Sequence, residues 1–176
     1  MRKMATHYLA GHTVGALEPE AAIVETYIAD EASIPIWGPV IAVAKGTGEL
    51  WARAEPTSTA KDPTVIGIAV GPLRDAGNGY VSTAAGQAIQ VLTFGKGKLR
   101  VDGNADAIAV GDALCSHGAD GVGQLVAIDP AAAYTQAGVV NWFAYVMASF
   151  AMALEASTVD LDIIPVHVYG ARGTPT

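Results

Sequence analysis

The sequence has little cysteine, little charge and no cluster of basic residues. Its single cysteine, Cys115, excludes an internal disulfide and a zinc site built from cysteines, so we expect a reducing or redox-indifferent compartment. Charged residues make up 15% of the 176 positions, and the formal net charge is −7. The ten basic residues are scattered, whereas a surface that binds a phosphate backbone needs clustered Lys and Arg. We therefore expect no nucleic-acid partner.

One long segment also lacks charged residues. Residues 130–154 contain no Asp, Glu, Lys or Arg, and a segment of this length could span a bilayer. Pro130, Gln136, Gly138 and Asn141 interrupt it, which leaves only its last part strongly apolar. We predict a buried strand or an interface loop here and no membrane partner. The first eight residues lack the apolar core of a signal peptide.

What the chain does contain is β-forming sequence. Apolar residues reach 51%, enough for a well-filled core. Short runs of β-branched and aromatic residues alternate with Gly- and Pro-rich turns at intervals of about 8–12 residues, a spacing typical of an all-β barrel or sandwich. We predict a hairpin turn at Gly95–Gly97, an edge strand or a bulge at Pro39, and one short helix near Ala131–Gln136.

The first half of the chain is faintly repeated in the second. Three short segments in each half follow the same order of apolar run, Gly-containing turn and small-residue strand: 36–41, 48–53 and 65–70, then 110–114, 123–127 and 149–154. The number of residues between matching segments is not constant, whereas a solenoid repeat has a fixed period. The pattern therefore indicates one small β-module used twice.

These patterns predict the domain organisation. Residues 1–22 form an extended N-terminal arm, and residues 23–170 form a β-barrel domain. Two degenerate modules lie within that domain, at about 34–70 and 108–154, and residues 171–176 are a C-terminal tail.

No motif carries a complete reaction chemistry. Asp102–Asp106 resembles the start of a calcium loop, but Ala107 and Ala113 stand where that loop needs Gly and a bidentate Glu. A polar turn is the better interpretation. Gly95–Lys98 lacks the spacer and the Lys-Ser/Thr pair of a phosphate loop.

Two further candidates are a nucleophile pair and a metal site. Cys115 and His117 could form a thiol–imidazole pair, yet no third group orients them, and a buried thiol beside an exposed imidazole is the simpler interpretation. His7, His12 and His167 have no carboxylate at ligand spacing, so a metal would need several copies of the chain. We predict no catalytic residue, no cofactor and no metal.

The chain also resembles a known family over roughly residues 34–168, counting the first module. Its segments Val91–Asp102, Ala109–Leu114, Gly123–Ala127, Ala151–Ala156 and Ile163–Val168 are similar to the "V-x-x-x-G-x-x-x-V-x-V-D-G", "G-D-P-V", "G-K-V-V-A", "I-G-I-A-L-E-A" and "I-P-V" runs of tailed-virus capsid decoration (cement) proteins. The chain departs from that pattern where Ala113 replaces the proline and in its longer 129–145 loop and N-terminal arm.

The resemblance implies a small β-barrel or β-tulip fold and a structural role in the virion. It implies a homotrimer on the outside of an icosahedral capsid, made in the host cytoplasm, that bridges subunits of the major capsid protein. The arm and the 130–145 insertion are then the expected contact regions. We predict partner contacts at exposed histidines and aromatic residues of these regions, and at one tryptophan of the first module: His7, Tyr8, His12, Trp37, Tyr134, Trp142, Phe143 and Tyr145.

Two other functions stay open at this point. A trimeric β-barrel enzyme with sites at subunit seams, such as a nucleotide hydrolase, would have to use Asp102, Asp106 and Asp112, the only acidic cluster. A tail or receptor-binding module would use the loop between Tyr134 and Tyr145.

Overall fold

The computed structural model describes residues 22–44, 47–48, 50–71, 79–82, 84–119, 121–126 and 135–169. Nine strands and one helix occupy these ranges. The predicted all-β class is confirmed, because the strands pair into closed barrel-like rings. The predicted N-terminal arm and C-terminal tail lie outside the described residues.

The first ring contains four whole strands and half of a fifth: β1 (Ile23–Ala29), β2 (Pro39–Val43), β3 (Arg53–Pro56), β4 (Val65–Gly71) and the first half of β5 (Ala88–Asp102). Strand β1 pairs in parallel with β3, and β3 pairs with β2, β2 with β4 and β4 with β5, all antiparallel. An antiparallel pairing of β5 with β1 closes the ring. Closure removes the unpaired edges that an open sheet would present.

The second ring starts from the other half of β5 and adds four strands: β6 (Ala113–Ser116), β7 (Gly123–Leu125), β8 (Ala151–Ala153) and β9 (Asp162–Val168). Strand β5 pairs in parallel with β7, and β7 pairs with β6, β6 with β8 and β8 with β9, all antiparallel. Strand β9 returns antiparallel to β5 over seven residue pairs and closes this ring.

The two rings have the same sequence of pairing directions. Each consists of one parallel pair and four antiparallel pairs, and in each the parallel pair joins the first strand of the ring to the third in chain order. The repeated segments of the sequence fall on or directly beside corresponding strands, β2 with β6, β3 with β7 and β4 with β8. The module boundaries at 34–70 and 108–154 stay a proposal.

The hairpin predicted at Gly95–Gly97 was wrong. This stretch lies inside β5, which runs unbroken for 15 residues and belongs to both rings. Gly95 has a φ of 106°, a conformation that glycine adopts without strain. Strand β5 therefore continues past Gly95, where its pairing passes to β9 and Gly95 lies opposite Val168.

Of the two alternatives predicted at Pro39, an edge strand or a bulge, the structure has the bulge and not the edge strand. Strand β2 pairs on both sides, with β3 and with β4. Pro39 is tolerated because it is the first residue of the strand, and the register against β4 shifts between Val40 and Ile41, so the predicted bulge is present.

Trp37 joins the two rings. It is half-buried and packs against the apolar clusters of both. Its backbone N–H donates to the carbonyl of Ala69 in β4, and its own carbonyl accepts from the N–H of Arg100 in β5, both at 2.8 Å. A φ of 64° at Trp37, uncommon for a bulky residue, places both groups at once. The main core, with Phe150 its largest fully buried side chain, lies beside this junction.

A short helix was predicted near Ala131–Gln136, and the helix of the structure overlaps this segment at Gln136. Helix α1 spans Gln136–Ala148, while most of the predicted helical segment, residues 131–134, lies outside the described residues. The described ranges include no helix that is both long and apolar enough to span a membrane.

Candidate partner-contact surfaces

Helix α1 is fixed at both ends by short hydrogen bonds. Thr135 precedes it, and its Oγ1 accepts the N–H of Gly138 at 2.9 Å, the geometry of an N-cap. After the last turn, Ser149 Oγ donates to the carbonyl of Val146 at 3.1 Å. Ala148 packs with Cys115 and Val126, which ties the C-terminal end of the helix to the second ring.

The middle of α1 exposes large apolar side chains. Val139, Val140 and Phe143 are 48%, 63% and 61% exposed, and we call this set the α1 face. Spacings of three and four residues place all three on one side of the helix. Gly138 and Ala148, both buried, lie towards the opposite side. Exposed apolar side chains that lie together in this way are candidates for a partner contact.

A second surface is basic. Lys96, Lys98 and Arg100 alternate along β5 with less exposed residues, so their side chains share the outer face of the second ring. They lie opposite His167, Pro165 and Ile163 of β9, and we call the three bases the basic strip. In a chain of net charge −7, this strip is suited to an acidic partner surface.

A third surface is a shallow groove of about 400 Å³ beside β1 and the start of β3, lined by Glu25, Thr26, Tyr27, Leu50, Trp51 and Ala52. Trp51 is 54% exposed there. The Tyr27 hydroxyl donates to Glu25 Oε2 at 3.2 Å. Burial, and then the negative charge of Glu25, raise the pKa of Tyr27, so its hydroxyl stays protonated at neutral pH.

Cys115 and His117 do not make a nucleophile pair. The thiol of Cys115 is buried and points to the carbonyl of Leu125. His117 instead accepts the N–H of Ala119 on Nδ1 at 3.0 Å and directs Nε2 towards Asp102 at 3.7 Å. Each ring nitrogen of His117 therefore has a partner other than Cys115.

We expect Cys115 to be unreactive in the folded protein. Burial raises the pKa of this thiol from 9.0 to about 11, so the nucleophilic thiolate is a small minority at pH 8. Modification by a thiol reagent should be at least about a hundredfold slower in native protein than in protein unfolded by guanidinium. Equal modification rates in the native and the unfolded protein would contradict the buried position.

Because folding favours the neutral thiol of Cys115, the free energy of unfolding should fall as pH rises from 9 towards 11.

Two of the three aspartates considered for an enzyme site, Asp102 and Asp112, accept N–H groups of local turns. Asp102 Oδ1 accepts the N–H groups of Asn104 and Ala105, at 2.9 and 3.3 Å, which forms the predicted polar turn. Asp112 Oδ2 accepts the N–H of Ala109 at 2.8 Å. Among the described residues, no group of three or more His, Cys, Asp or Glu is arranged to hold a metal ion.

The predicted contact residues fall in three places. His7, Tyr8, His12 and Tyr134 lie outside the described residues. Trp37 lies at the junction of the rings. Phe143 belongs to the α1 face, and Trp142 and Tyr145 belong to the same helix, with only their backbone described. A role of these residues in partner contact stays a prediction.

Sequence reasoning missed the basic strip and the groove. The alternating bases of Lys96-Gly-Lys-Leu-Arg100 were the available signal for the strip, and the expected turn concealed them. The groove has no local signal, because its two halves are more than 20 residues apart in sequence and meet through the parallel pairing of β1 with β3.

Comparison with models of known protein families and with proteins of curated function gives no match. Among solved structures, the chain is similar to the N base of head fiber gp8.5 in bacteriophage phi29. The two share 14% sequence identity, the match covers 89% of this chain and 99% of that chain, and the TM-score is 0.46.

Proposed function

We propose that this chain is a structural virion protein that attaches as a homotrimer to the outside of an icosahedral capsid and bridges subunits of the major capsid protein. One observation carries the proposal. The five segments quoted for the resemblance to capsid decoration proteins overlap each of the five strands of the second ring, β5 to β9. The quoted motifs therefore follow the strands of one complete ring in chain order.

The described surfaces suit such a role. A protein that bridges capsid subunits needs rigid contact faces, and two closed rings that share a strand provide a stiff support. The basic strip on β5 is a candidate contact with an acidic capsid surface, because complementary charge favours encounter and fixes orientation. Three copies held together would gain avidity on a symmetric shell.

Attachment to particles tests this function. Purified protein should sediment with heads of the virus that encodes it when those heads lack the protein, and its binding should saturate at a fixed number of copies per head. Bovine serum albumin, which is also acidic, serves as the control for trapping in the pellet. Recovery of the protein only in the supernatant, at concentrations well above the micromolar range, would contradict the proposal.

A further inference from the structure

Strand β1 is paired along only part of one side. On its β5 side it pairs from Ile23 to Ile28. On its β3 side, among the described residues, it pairs only at Ile28 and Ala29. We call residues 23–27, which no described strand pairs on that side, the β1 edge. This edge lies beside the groove that is lined by Trp51.

The backbone of β1 directs hydrogen-bonding groups into this groove. The N–H groups of Ile28 and Asp30 donate towards β3, each at 2.9 Å, whereas the N–H of Ala29 donates towards β5 at 2.8 Å. Backbone groups alternate in this way between the two sides of an antiparallel strand. The N–H and carbonyl groups of Val24 and Thr26 therefore point to the groove side, where β3 has not yet begun.

The side chains around the β1 edge are also exposed. Ile23 is 51% exposed, and Leu50 and Trp51, across the groove, are 91% and 54% exposed. An edge of this kind is a template for a further strand, and proteins usually cover it. A strand laid along β1 would satisfy the groups of Val24 and Thr26 and would lie against Trp51.

The connectivity of the chain points to residues 13–17 as that strand. Residues 1–21 enter the described structure at Ala22, directly before β1 and at the open end of the groove. A segment that is joined to β1 by a short turn pays less closure entropy than a separate chain pays on association. Residues 18–21 suit such a turn, because Pro19 is at the second of four positions, where its fixed φ is favoured. Four-residue loops of this type are common in β-hairpins.

We propose that residues 13–17 fold back as a hairpin and add an antiparallel strand to the β1 edge of the same chain. With a turn at 18–21, they lie opposite residues 22–26. The first ring then gains a strand between β1 and the chain that leads into β3. This arrangement leaves residues 1–12 of the predicted arm, with His7, Tyr8 and His12, for contact with a partner. It holds whether or not the chain attaches to a capsid.

Hydrogen exchange of the wild-type chain, followed by NMR, tests the added strand. The amides of Val24 and Thr26 should exchange at least about a hundredfold more slowly than in an unstructured peptide, because they donate to the added strand. The amides of Glu25 and Tyr27, which face β5, are the internal reference. Unprotected amides at Val24 and Thr26 beside protected amides at Glu25 and Tyr27 would overturn the proposal.

Proline substitutions at each position of 13–17 test the pairing in a second way. Alternate positions should accelerate exchange at Thr26 at least about tenfold, because proline removes an N–H that faces β1 only at every second residue. The intervening positions serve as matched controls, since their N–H groups face away from β1. An equal effect at all five positions, or none, would contradict a paired strand.

A disulfide identifies the chain that supplies the strand. The hairpin places Val14 opposite Glu25 in a pair whose side chains approach closely. The variant V14C/E25C should therefore form a disulfide within one chain on mild oxidation. The control V14C/Q90C should form it at least about tenfold more slowly, because Gln90, also exposed, lies opposite Thr26 on the other side of β1. A covalent dimer of V14C/E25C would assign the strand to a second copy, and equal rates for the two variants would indicate no fixed pairing. Either result would overturn the hairpin.

Discussion

Replacing Gly67 with alanine should destabilise the protein by about 3 kcal/mol or more. Gly67 lies in β4, where the strand crosses closely over β5. A Cβ at this position would overlap the carbonyl oxygen of Leu92 and lie 2.9 Å from both the Leu92 carbonyl carbon and Val91 Cγ1. The obstacle is mainly backbone of the strand that both rings share, so it cannot move without disturbing both. Denaturant unfolding measures the loss.

Gly118→Ala is the matched control for this change. Gly118 is exposed, its φ is not in the left-handed region, and the nearest atom to an added Cβ is that of Ala60 at 4.0 Å. The free energy of unfolding of the Gly118→Ala variant should differ from that of the wild type by less than about 1 kcal/mol. Similar unfolding midpoints for Gly67→Ala and Gly118→Ala would contradict the close approach of β4 and β5.

Replacing Asp62 with alanine should cost about 2–4 kcal/mol. The carboxylate is buried and accepts the hydroxyl of Thr57 at 2.8 Å and the N–H of Thr64 at 2.9 Å, along with the Thr64 hydroxyl. Alanine removes these acceptors and leaves the buried Thr57 hydroxyl without its carboxylate partner. Unfolding in urea measures the difference.

Replacing Asp62 with alanine should also weaken the contact between the segment before β4 and strand β6 of the second ring. The backbone N–H of Asp62 donates to Ser116 Oγ in β6, and that hydroxyl donates to the carbonyl of Thr59, both at 2.8 Å. Hydrogen exchange at the Asp62 amide should therefore accelerate in the variant. Asp160→Ala, at an exposed aspartate, is the control and should stay within about 0.5 kcal/mol of the wild type. Equal stability of the two variants would contradict the bonding around Asp62.

The all-β class could be predicted because its signals are local. Runs such as Val65–Val70 are rich in β-branched residues and end in Gly-Pro, and these runs became strands. The continuity of β5 could not be predicted in the same way. Gly95 and Gly97 have the composition of a hairpin, and only the long-range ladder with β9 keeps the chain extended.

The position of the helix shows the same limit. The described helix contains Gly138, Val139 and Val140, which are poor helix formers, so propensity alone did not predict it over this range. The cap at Thr135 and the packing of Ala148 on the second ring favour a helix here. Propensity is a weak guide where caps and packing decide.

The candidate surfaces were predictable to different degrees. Phe143 was expected in a contact region because it lies in the 130–145 insertion, which the resemblance to decoration proteins made a contact candidate, and it is exposed on α1. The basic strip needed the knowledge that Lys96, Lys98 and Arg100 belong to one strand. The groove at Trp51 needed the parallel pairing of β1 with β3, which no short motif specifies.

Electron microscopy of viral heads with and without this protein tests the proposed role most directly. Heads assembled without the chain should lack a set of external protrusions at threefold positions, and adding the purified protein should restore them. Each restored protrusion should accommodate three copies of the double-ring domain and touch more than one capsid subunit. Identical density for heads with and without the protein would contradict the account.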